Sequence, residues 1–175
     1  LDVQVDSVLS ENVERFGAEA FLHSACGIIV PGGYGPRGVE GMIMAAQYAR
    51  ENLVPYLGLC LGMQLMVIES ARNCANLLSA HSTEFDALTP HPVVDLMQEQ
   101  RGMTEMGGTM RLGLYPCIVK EGSLAFEAYG RPEVQERHRH RWELNNAYRK
   151  SLEEGGMRFS GFSPDNNLVE IAELV

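Results

Sequence analysis

A cysteine stands between two glycines in the segment Gly58-Leu59-Cys60-Leu61-Gly62. An apolar run precedes it and helical apolar spacing follows it, which is typical of a nucleophile elbow, a tight strand-to-helix turn that presents a reactive side chain. The glycines let neighbouring backbone approach without a clash, and the N-terminus of the following helix favours a thiolate. The pattern predicts Cys60 as a nucleophile. The alternative is a buried cysteine that closes a βα turn, with glycines present only for packing.

A second glycine-rich segment, Pro31-Gly32-Gly33-Tyr34-Gly35, directly follows another apolar run. Glycines allow backbone N–H groups to point into a cleft, as an oxyanion hole or a phosphate cradle requires. An ordinary Pro-Gly-Gly turn would have the same composition. If the two apolar runs are neighbouring strands, the amides of Gly33 and Leu61 both face an oxygen near Cys60.

Five cationic or titratable residues follow one another in Arg137-His138-Arg139-His140-Arg141. In a strand, side chains alternate, so the three arginines would share one face and the two histidines the other. An arginine here suits a carboxylate or phosphate partner, whereas the flanking positive charge disfavours zinc binding by the two histidines. A solvated stretch is the alternative. Two polar turns, Ser82-Thr83-Glu84 and residues 107–113, are weaker ligand-binding candidates.

The elements that carry these residues alternate between strand and helix. Apolar residues 26–30 and 53–59 predict two buried strands that need helices on both faces, and residues 38–51 have helical spacing. This order favours an α/β fold, Rossmann-like, with a parallel or mixed sheet flanked by helices. From about residue 79, short segments predict a smaller antiparallel excursion, a helix over residues 143–155 and a final hairpin of residues 157–162 and 168–174.

Composition limits the class of protein. The 175 residues predict a single domain over 1–175, with no linker composition. The net charge of −9 argues against nucleic-acid or anionic-membrane binding. No apolar run approaches the roughly 20 residues of a membrane span. The four cysteines are scattered without C-x-x-C spacing, which favours a cytoplasmic chain over a disulfide framework or a metal site.

Taken together, these segments resemble the glutamine amidotransferase domains of CTP synthases, which are triad amidotransferases of class I. The resemblance runs from about Cys26 to the end of the chain. The matching segments are Val30-Pro-Gly-Gly-Tyr-Gly-Pro-Arg-Gly38, Tyr48-Ala-Arg-Glu-Asn52, Pro55-Tyr-Leu-Gly-Leu-Cys-Leu-Gly-Met-Gln64, Ser82-Thr-Glu-Phe85, residues 107–113, Glu136-Arg-His-Arg-His-Arg141 and Leu168-Val-Glu-Ile-Ala-Glu173.

The resemblance implies a Cys-His-Glu triad whose thiolate attacks the side-chain amide of L-glutamine and releases ammonia. It implies Cys60 as the nucleophile, the Gly33 and Leu61 amides as oxyanion donors, and glutamine contacts from Gly33, Leu61, Gly62, Met63, Gln64, Glu84 and Arg141. Glu84 suits the α-ammonium and Arg141 the α-carboxylate. The domain itself needs no metal or cofactor. In this family a separate synthase domain uses ATP and Mg²⁺ to aminate UTP to CTP, and the whole protein is expected to be a homo-oligomer.

Two departures from the family pattern lead us to expect a fragment that is incomplete at both ends. The family's histidine and glutamate lie in a His-Pro-Glu stretch shortly after the segment that matches residues 168–174, and no histidine in this chain has a glutamate two positions on. The synthase domain and the first strand and helix of the amidotransferase domain have no counterpart. We therefore expect little glutaminase activity from this chain alone. The alternatives are a non-catalytic glutamine-binding or assembly fragment and a cysteine hydrolase of another amide.

Overall fold

The computed structural model describes residues 2–96 and 111–174. The chain divides into two compact units, Leu1–Met66 and Val67–Val175. The single-domain expectation stays a prediction. Positions 107–110 of the polar turn predicted at residues 107–113 lie outside the described residues.

The first unit is built on a strand-helix-strand arrangement. Its strands β1 and β2 are parallel and pair Ile28 with Tyr56, Ile29 with Leu57 and Val30 with Gly58. This confirms the predicted parallel pairing. The elements in chain order are α1 (Ser10–Phe16), α2 (Glu19–Leu22), β1 (Ile28–Val30), α3 (Val39–Asn52), β2 (Tyr56–Gly58) and α4 (Leu61–Asn73), and the boundary between the units falls within α4.

The prediction that both strands are buried on both faces is wrong. Ile28 and Val30 pack in a core with Leu22, Ala45 and Ala49, which α2 and α3 supply. Residues on the other face remain exposed: Ile29 is 67% and Leu57 is 51% exposed. Helices cover one face of this pair in the described residues, so alternate residues of an entirely apolar strand point to solvent.

Helix α1 packs closely on the first turn of α3 and anchors the glycine-rich loop before it. Gly38 has φ of +69°, and a Cβ on Gly41 would lie 1.9 Å from the Ser10 carbonyl oxygen, so both positions need glycine. Arg37, which precedes Gly38, forms an ion pair with Glu11 of α1. These contacts fix the end of the loop that carries Gly32 and Gly33.

The second unit contains a mixed sheet and an antiparallel sheet. The mixed sheet has the order β3-β4-β7, and the antiparallel sheet has the order β6-β5-β8-β9. The predicted C-terminal hairpin is confirmed, because β8 and β9 pair antiparallel. The elements are β3 (Ala80–Ser82), β4 (His91–Leu96), β5 (Arg111–Val119), α5 (Leu124–Tyr129), β6 (Glu133–His140), β7 (Trp142–Leu144), a 3-10 turn (Asn146–Tyr148), α6 (Arg149–Glu154), β8 (Met157–Phe162) and β9 (Val169–Leu174).

The helix predicted over residues 143–155 begins later than expected. Glu143 and Leu144 belong to β7, where they pair with Asp95 and Val94 of β4. Backbone pairing with a distant strand outweighs the local helical spacing of these residues. The helix proper, α6, buries Leu152 completely.

No helix within residues 2–96 and 111–174 is long and apolar enough to cross a membrane.

Candidate active site

The turn between β2 and α4 has the geometry of a nucleophile elbow. Cys60 has φ of +54°, a left-handed conformation that is strained for a residue with a side chain, and it is half-buried. The Leu59 N–H donates to the Val30 carbonyl oxygen at 2.9 Å, and the Gln64 N–H donates to the Cys60 carbonyl oxygen at 3.2 Å. These bonds tie the turn to β1 on one side and to α4 on the other, so the thiol is held at the end of the strand.

The two glycines flanking Cys60 are required by close backbone approach. A Cβ on Gly62 would lie 2.1 Å from the Val30 carbonyl oxygen, and a Cβ on Gly58 would lie 2.5 Å from the Gly62 carbonyl carbon. Both distances are far below van der Waals contact, and both obstacles are backbone atoms. The glycines therefore allow α4 to start directly against β1.

The glycine-rich loop after β1 lies beside the thiol. A Cβ placed on Gly32 would be 3.9 Å from the Cys60 Sγ, and one on Gly33 would be 3.2 Å from the Leu61 Cδ2. Among the described residues, the Gly33 and Leu61 amides donate no hydrogen bond to another backbone group. Two unpaired N–H donors next to a nucleophile are the components of an oxyanion hole.

The other residues of the first turn of α4 differ in exposure. Gln64 is buried and Met63 is half-buried. The Gly62 carbonyl oxygen accepts a hydrogen bond of 2.9 Å from the Tyr56 hydroxyl of β2. This bond crosses the elbow from strand to helix, a role of Tyr56 that was not predicted from the sequence.

Of the four cysteines, Cys60 has the surroundings of a nucleophile. Burial raises the pKa of the Cys117 thiol to about 11, which leaves it protonated and inert at neutral pH. Cys26 is exposed and Cys74 is half-buried. Cys26 precedes β1, and Cys74 directly follows α4, so neither occupies a strand-to-helix turn.

Glu84 lies in the second unit, in a turn that directly follows β3. The buried Ser82 anchors this turn, because its hydroxyl oxygen accepts from the Glu84 N–H at 3.2 Å. Thr83 donates its hydroxyl hydrogen to the Asp95 carboxylate at 2.8 Å. The backbone on both sides of Glu84 is therefore fixed, while its side chain is partly accessible.

Arg141 lies at the bend between β6 and β7, also in the second unit. Its guanidinium carbon is 5.7 Å from the centre of the Trp142 ring. Its Nε is buried and has no hydrogen-bond partner among the described residues. Within β6 the predicted alternation is confirmed: Arg137 and Arg139 are exposed, and the histidines are partly buried.

A buried ionic cluster in this unit, formed by Arg111, Glu143 and Glu170, was not predicted from the sequence. Each of the three side chains is less than 10% exposed. A charged residue between apolar ones in a strand, such as Glu170 between Val169 and Ile171, is the signal that could have revealed it. No group of His, Cys, Asp and Glu in the described part of the chain is arranged to hold a metal ion.

Comparison with known proteins agrees with this geometry. The family model "glutamine amidotransferase class-I" matches residues 2–174. The CTP synthase of Dehalococcoides mccartyi strain 195 is 57% identical over 173 residues, and that of Geobacillus kaustophilus is 55% identical over 173 residues. These matches cover 99% of this chain and 32% and 33% of the respective relatives. The chain thus spans about a third of the length of the curated relatives that it matches.

A solved structure is similar over the same range. It is the glutaminase domain of CTPS from Trypanosoma brucei with bound acivicin, which has a TM-score of 0.92 and 37% identity. The match covers 99% of this chain and 69% of that one. The family model matches nearly the whole length of this chain. The chain therefore belongs to the class-I glutamine amidotransferases, and within them it is similar to the glutaminase domains of CTP synthases.

Proposed function

We propose that this domain hydrolyses the side-chain amide of L-glutamine, with Cys60 as the nucleophile. The observation that supports this most is the placement of Cys60. Its backbone has φ of +54°, and its half-buried thiol lies beside the unpaired backbone N–H groups of Gly33 and Leu61. The thiolate attacks the amide carbon, and the two N–H groups stabilise the negative oxygen of the tetrahedral intermediate. Collapse of the intermediate breaks the C–N bond, the departing nitrogen takes a proton from water, and ammonia leaves. Water then hydrolyses the thioester to glutamate and regenerates the thiol.

As the resemblance implies, we assign recognition of glutamine to Glu84 and Arg141 and to the residues around Cys60. Glu84 binds the α-ammonium, and Arg141 binds the α-carboxylate through a charge-assisted hydrogen bond. The unpartnered Nε of Arg141 supports this role. Gly33, Leu61, Gly62, Met63 and Gln64 line the approach to Cys60.

The released ammonia serves a synthase domain of the same parent protein, where ATP and Mg²⁺ support the amination of UTP to CTP. This assignment rests on the name CTP synthase carried by relatives of about three times this length. ATP and Mg²⁺ belong to the synthase domain and not to the domain described above. We place the reaction in the cytoplasm and the parent protein in a homo-oligomer, by the same resemblance.

The test is covalent labelling of the chain by acivicin, an electrophilic amino acid. We expect one equivalent to attach to Cys60, L-glutamine to slow the reaction, and Cys60→Ala to abolish it. The Cys26→Ser variant is the matched control, because it removes an exposed thiol and leaves the elbow intact. Labelling that glutamine does not slow would contradict the proposal and favour a hydrolase of another amide.

Turnover by the 175-residue chain is expected to be slow. None of its five histidines is followed two positions later by glutamate. General acid–base assistance of the kind that such a pair gives contributes about 10²–10⁴-fold. Glutamine binding by calorimetry without ammonia release would fit this expectation. Steady ammonia release that Cys60→Ala abolishes would refute it.

A further inference from the structure

A buried arginine joins three strands of the second unit. Arg111, at the start of β5, donates through Nη1 to Glu143 of β7 at 3.1 Å. It also forms a bidentate pair with Glu170 of β9, at 2.7 and 3.2 Å. Its guanidinium carbon lies 4.5 Å from the centre of the Tyr115 ring. A planar fork that satisfies two carboxylates fixes the relative positions of the strands that carry them.

Two histidines extend this cluster toward the bend that holds Arg141. The Nδ1 of His140 lies 3.3 Å from the same Glu143 oxygen that Arg111 contacts, and 3.3 Å from the Trp142 carbonyl oxygen. The Nδ1 of His138 lies 2.9 Å from the Nε2 of His140. Both positions are consistent with Nδ1–H tautomers, in which His138 donates to His140 and His140 donates onward. Burial lowers the pKa of His138, and it lowers that of His140 to about 4, so both rings are neutral at pH 7.

Arg141 lies inside the stretch that this cluster holds. His140 precedes it and contacts the Trp142 carbonyl, and Glu143 follows it and contacts Arg111. The Arg141 side chain takes no part in the cluster, and its Nε–H donates no hydrogen bond within the described residues. The cluster therefore restrains the backbone on both sides of Arg141 without occupying its guanidinium.

We propose that Arg111, Glu143 and Glu170, together with His138 and His140, form a buried brace that positions Arg141 to bind the α-carboxylate of glutamine. These are positioning residues, since they act through Arg141 and do not touch the substrate. The inference rests on the proposed function, because it assumes that Arg141 binds the carboxylate. A guanidinium can select a carboxylate only when its donors are held in one direction, since loss of about 1 Å in position can cost as much as 10²-fold.

The experiment compares two electrophiles on the 175-residue chain. Acivicin carries α-amino and α-carboxylate groups, and iodoacetamide carries neither. The ratio of their second-order rate constants for Cys60 labelling measures recognition of the α-groups, because any change in the thiol itself affects both reagents. The key variant is Glu143→Leu, which removes the acceptor shared by Arg111 and His140 but leaves Arg111 paired with Glu170. The matched control is Glu143→Gln, whose Oε1 can still accept from both.

We expect Glu143→Leu to lower the acivicin-to-iodoacetamide ratio by about tenfold and Glu143→Gln to lower it by less than about twofold. Arg141→Ala should lower the ratio on the order of 30-fold or more, as loss of a charged hydrogen-bond partner does. Arg139→Ala, an exposed neighbour, should leave it unchanged. If Glu143→Leu does not fold, Arg111→Lys replaces it, because an ammonium cannot hold both carboxylates in the same geometry.

The outcomes separate the two proposals. A normal ratio in Glu143→Leu, with a reduced ratio in Arg141→Ala, overturns the brace and leaves the proposed function intact. An unchanged ratio in Arg141→Ala, or wild-type labelling by acivicin that glutamine does not slow, overturns the assignment of Arg141 and with it the brace. Equal losses in Glu143→Leu and Glu143→Gln also overturn the brace, since the amide preserves the contacts that the brace requires.

Discussion

Single atoms decide whether the elbow can form, and Gly62 shows this most directly. A methyl group at Gly62 would lie 2.1 Å from the Val30 carbonyl oxygen, so either α4 or β1 must move. We expect Gly62→Ala to lower the free energy of unfolding by about 2 kcal/mol or more and to slow labelling of Cys60. Urea unfolding and acivicin labelling measure the two effects.

The control for this substitution is Gly27→Ala, just before β1. A Cβ there would be 3.7 Å from the Pro55 carbonyl oxygen, which is ordinary contact. We expect a change in unfolding free energy below about 1 kcal/mol. Equal losses in the two variants would mean that the close approach of α4 and β1 does not limit the elbow.

The titration of Glu143 supplies a second prediction for one residue. Burial raises the pKa of Glu143 from 4.5 to about 7, so its contribution to stability is present at low pH and is lost as pH rises through 7. The lowered pKa of His140 acts in the opposite sense. The contribution of His140 to the free energy of unfolding is present above pH 6.5 and is lost as pH falls toward 4. Between pH 4.5 and 6.5 the two nearly cancel in the wild type.

Glu143→Gln removes one side of this balance. We expect its stability, relative to the wild type, to fall as pH is lowered from 7 to 4.5, by up to about 1.4 kcal/mol per pH unit. Guanidinium unfolding at four pH values measures the difference. Glu153→Gln on the exposed face of α6 is the control and should parallel the wild type. Parallel curves for Glu143→Gln and the wild type would show that Glu143 titrates normally.

Residues that act through local spacing could be predicted from the sequence, and residues that act through distant contacts could not. The Gly-x-Cys-x-Gly spacing around Cys60 indicates the elbow because the turn is made within five residues. Arg111 is 32 residues from Glu143 and 59 from Glu170, so nothing local indicates that they meet. The roles assigned to Gly33, Glu84 and Arg141 stay predictions until labelling tests them.

At the scale of elements, the elbow is joined across its two sides by Tyr56 of β2. Its hydroxyl donates to the Gly62 carbonyl in the first turn of α4. We expect Tyr56→Phe to cost about 1 kcal/mol of stability and to slow iodoacetamide labelling of Cys60 by about fivefold, because the first turn is less firmly held. Labelling rates at fixed pH measure this.

Tyr48→Phe on α3 is the matched control, since its hydroxyl interacts with Glu19 of α2 and not with the elbow. It should affect stability without changing the labelling rate. A normal labelling rate in Tyr56→Phe would show that the backbone bonds of the turn suffice to hold Cys60.

Elements with strong local patterns were predicted more reliably than those set by pairing. The helical spacing of α3 and the hairpin of β8 and β9 follow from residues close in sequence. In contrast, β7 forms because Glu143 and Leu144 meet Asp95 and Val94, about fifty residues earlier. The exposed face of β1 was not predicted, because every residue of the strand is apolar. Without alternating polar and apolar residues, the sequence does not indicate that only one face is buried.

At the scale of the whole chain, the two units differ in the support for their strands. In the first unit, β1 and β2 have three residues each, and Ile29 and Leu57 on one face are more than half exposed. Two short strands that pair with no third strand among the described residues are marginally stable. In the second unit, β5 and β6 pair over eight positions, and Cys117, Val119 and Val134 form a buried cluster beside them.

We therefore expect the parallel pair to open at lower free energy than the antiparallel sheet. The amides of Ile28 and Leu59, bonded to the Pro55 and Val30 carbonyls, should exchange hydrogen at least about tenfold faster than those of Val119 and Lys120, bonded to the Pro132 and Ser160 carbonyls. Hydrogen exchange followed by NMR measures all four rates.

Two variants serve as a matched pair. Ile29→Thr, on the exposed face of β1, should leave these rates nearly unchanged. Val30 is only 4% exposed, so Val30→Ala should speed exchange in the first unit alone. Exchange of all four amides at one common rate would instead mean that the chain opens as a single cooperative unit, and Cys60 would then owe its position to the stability of the entire fold.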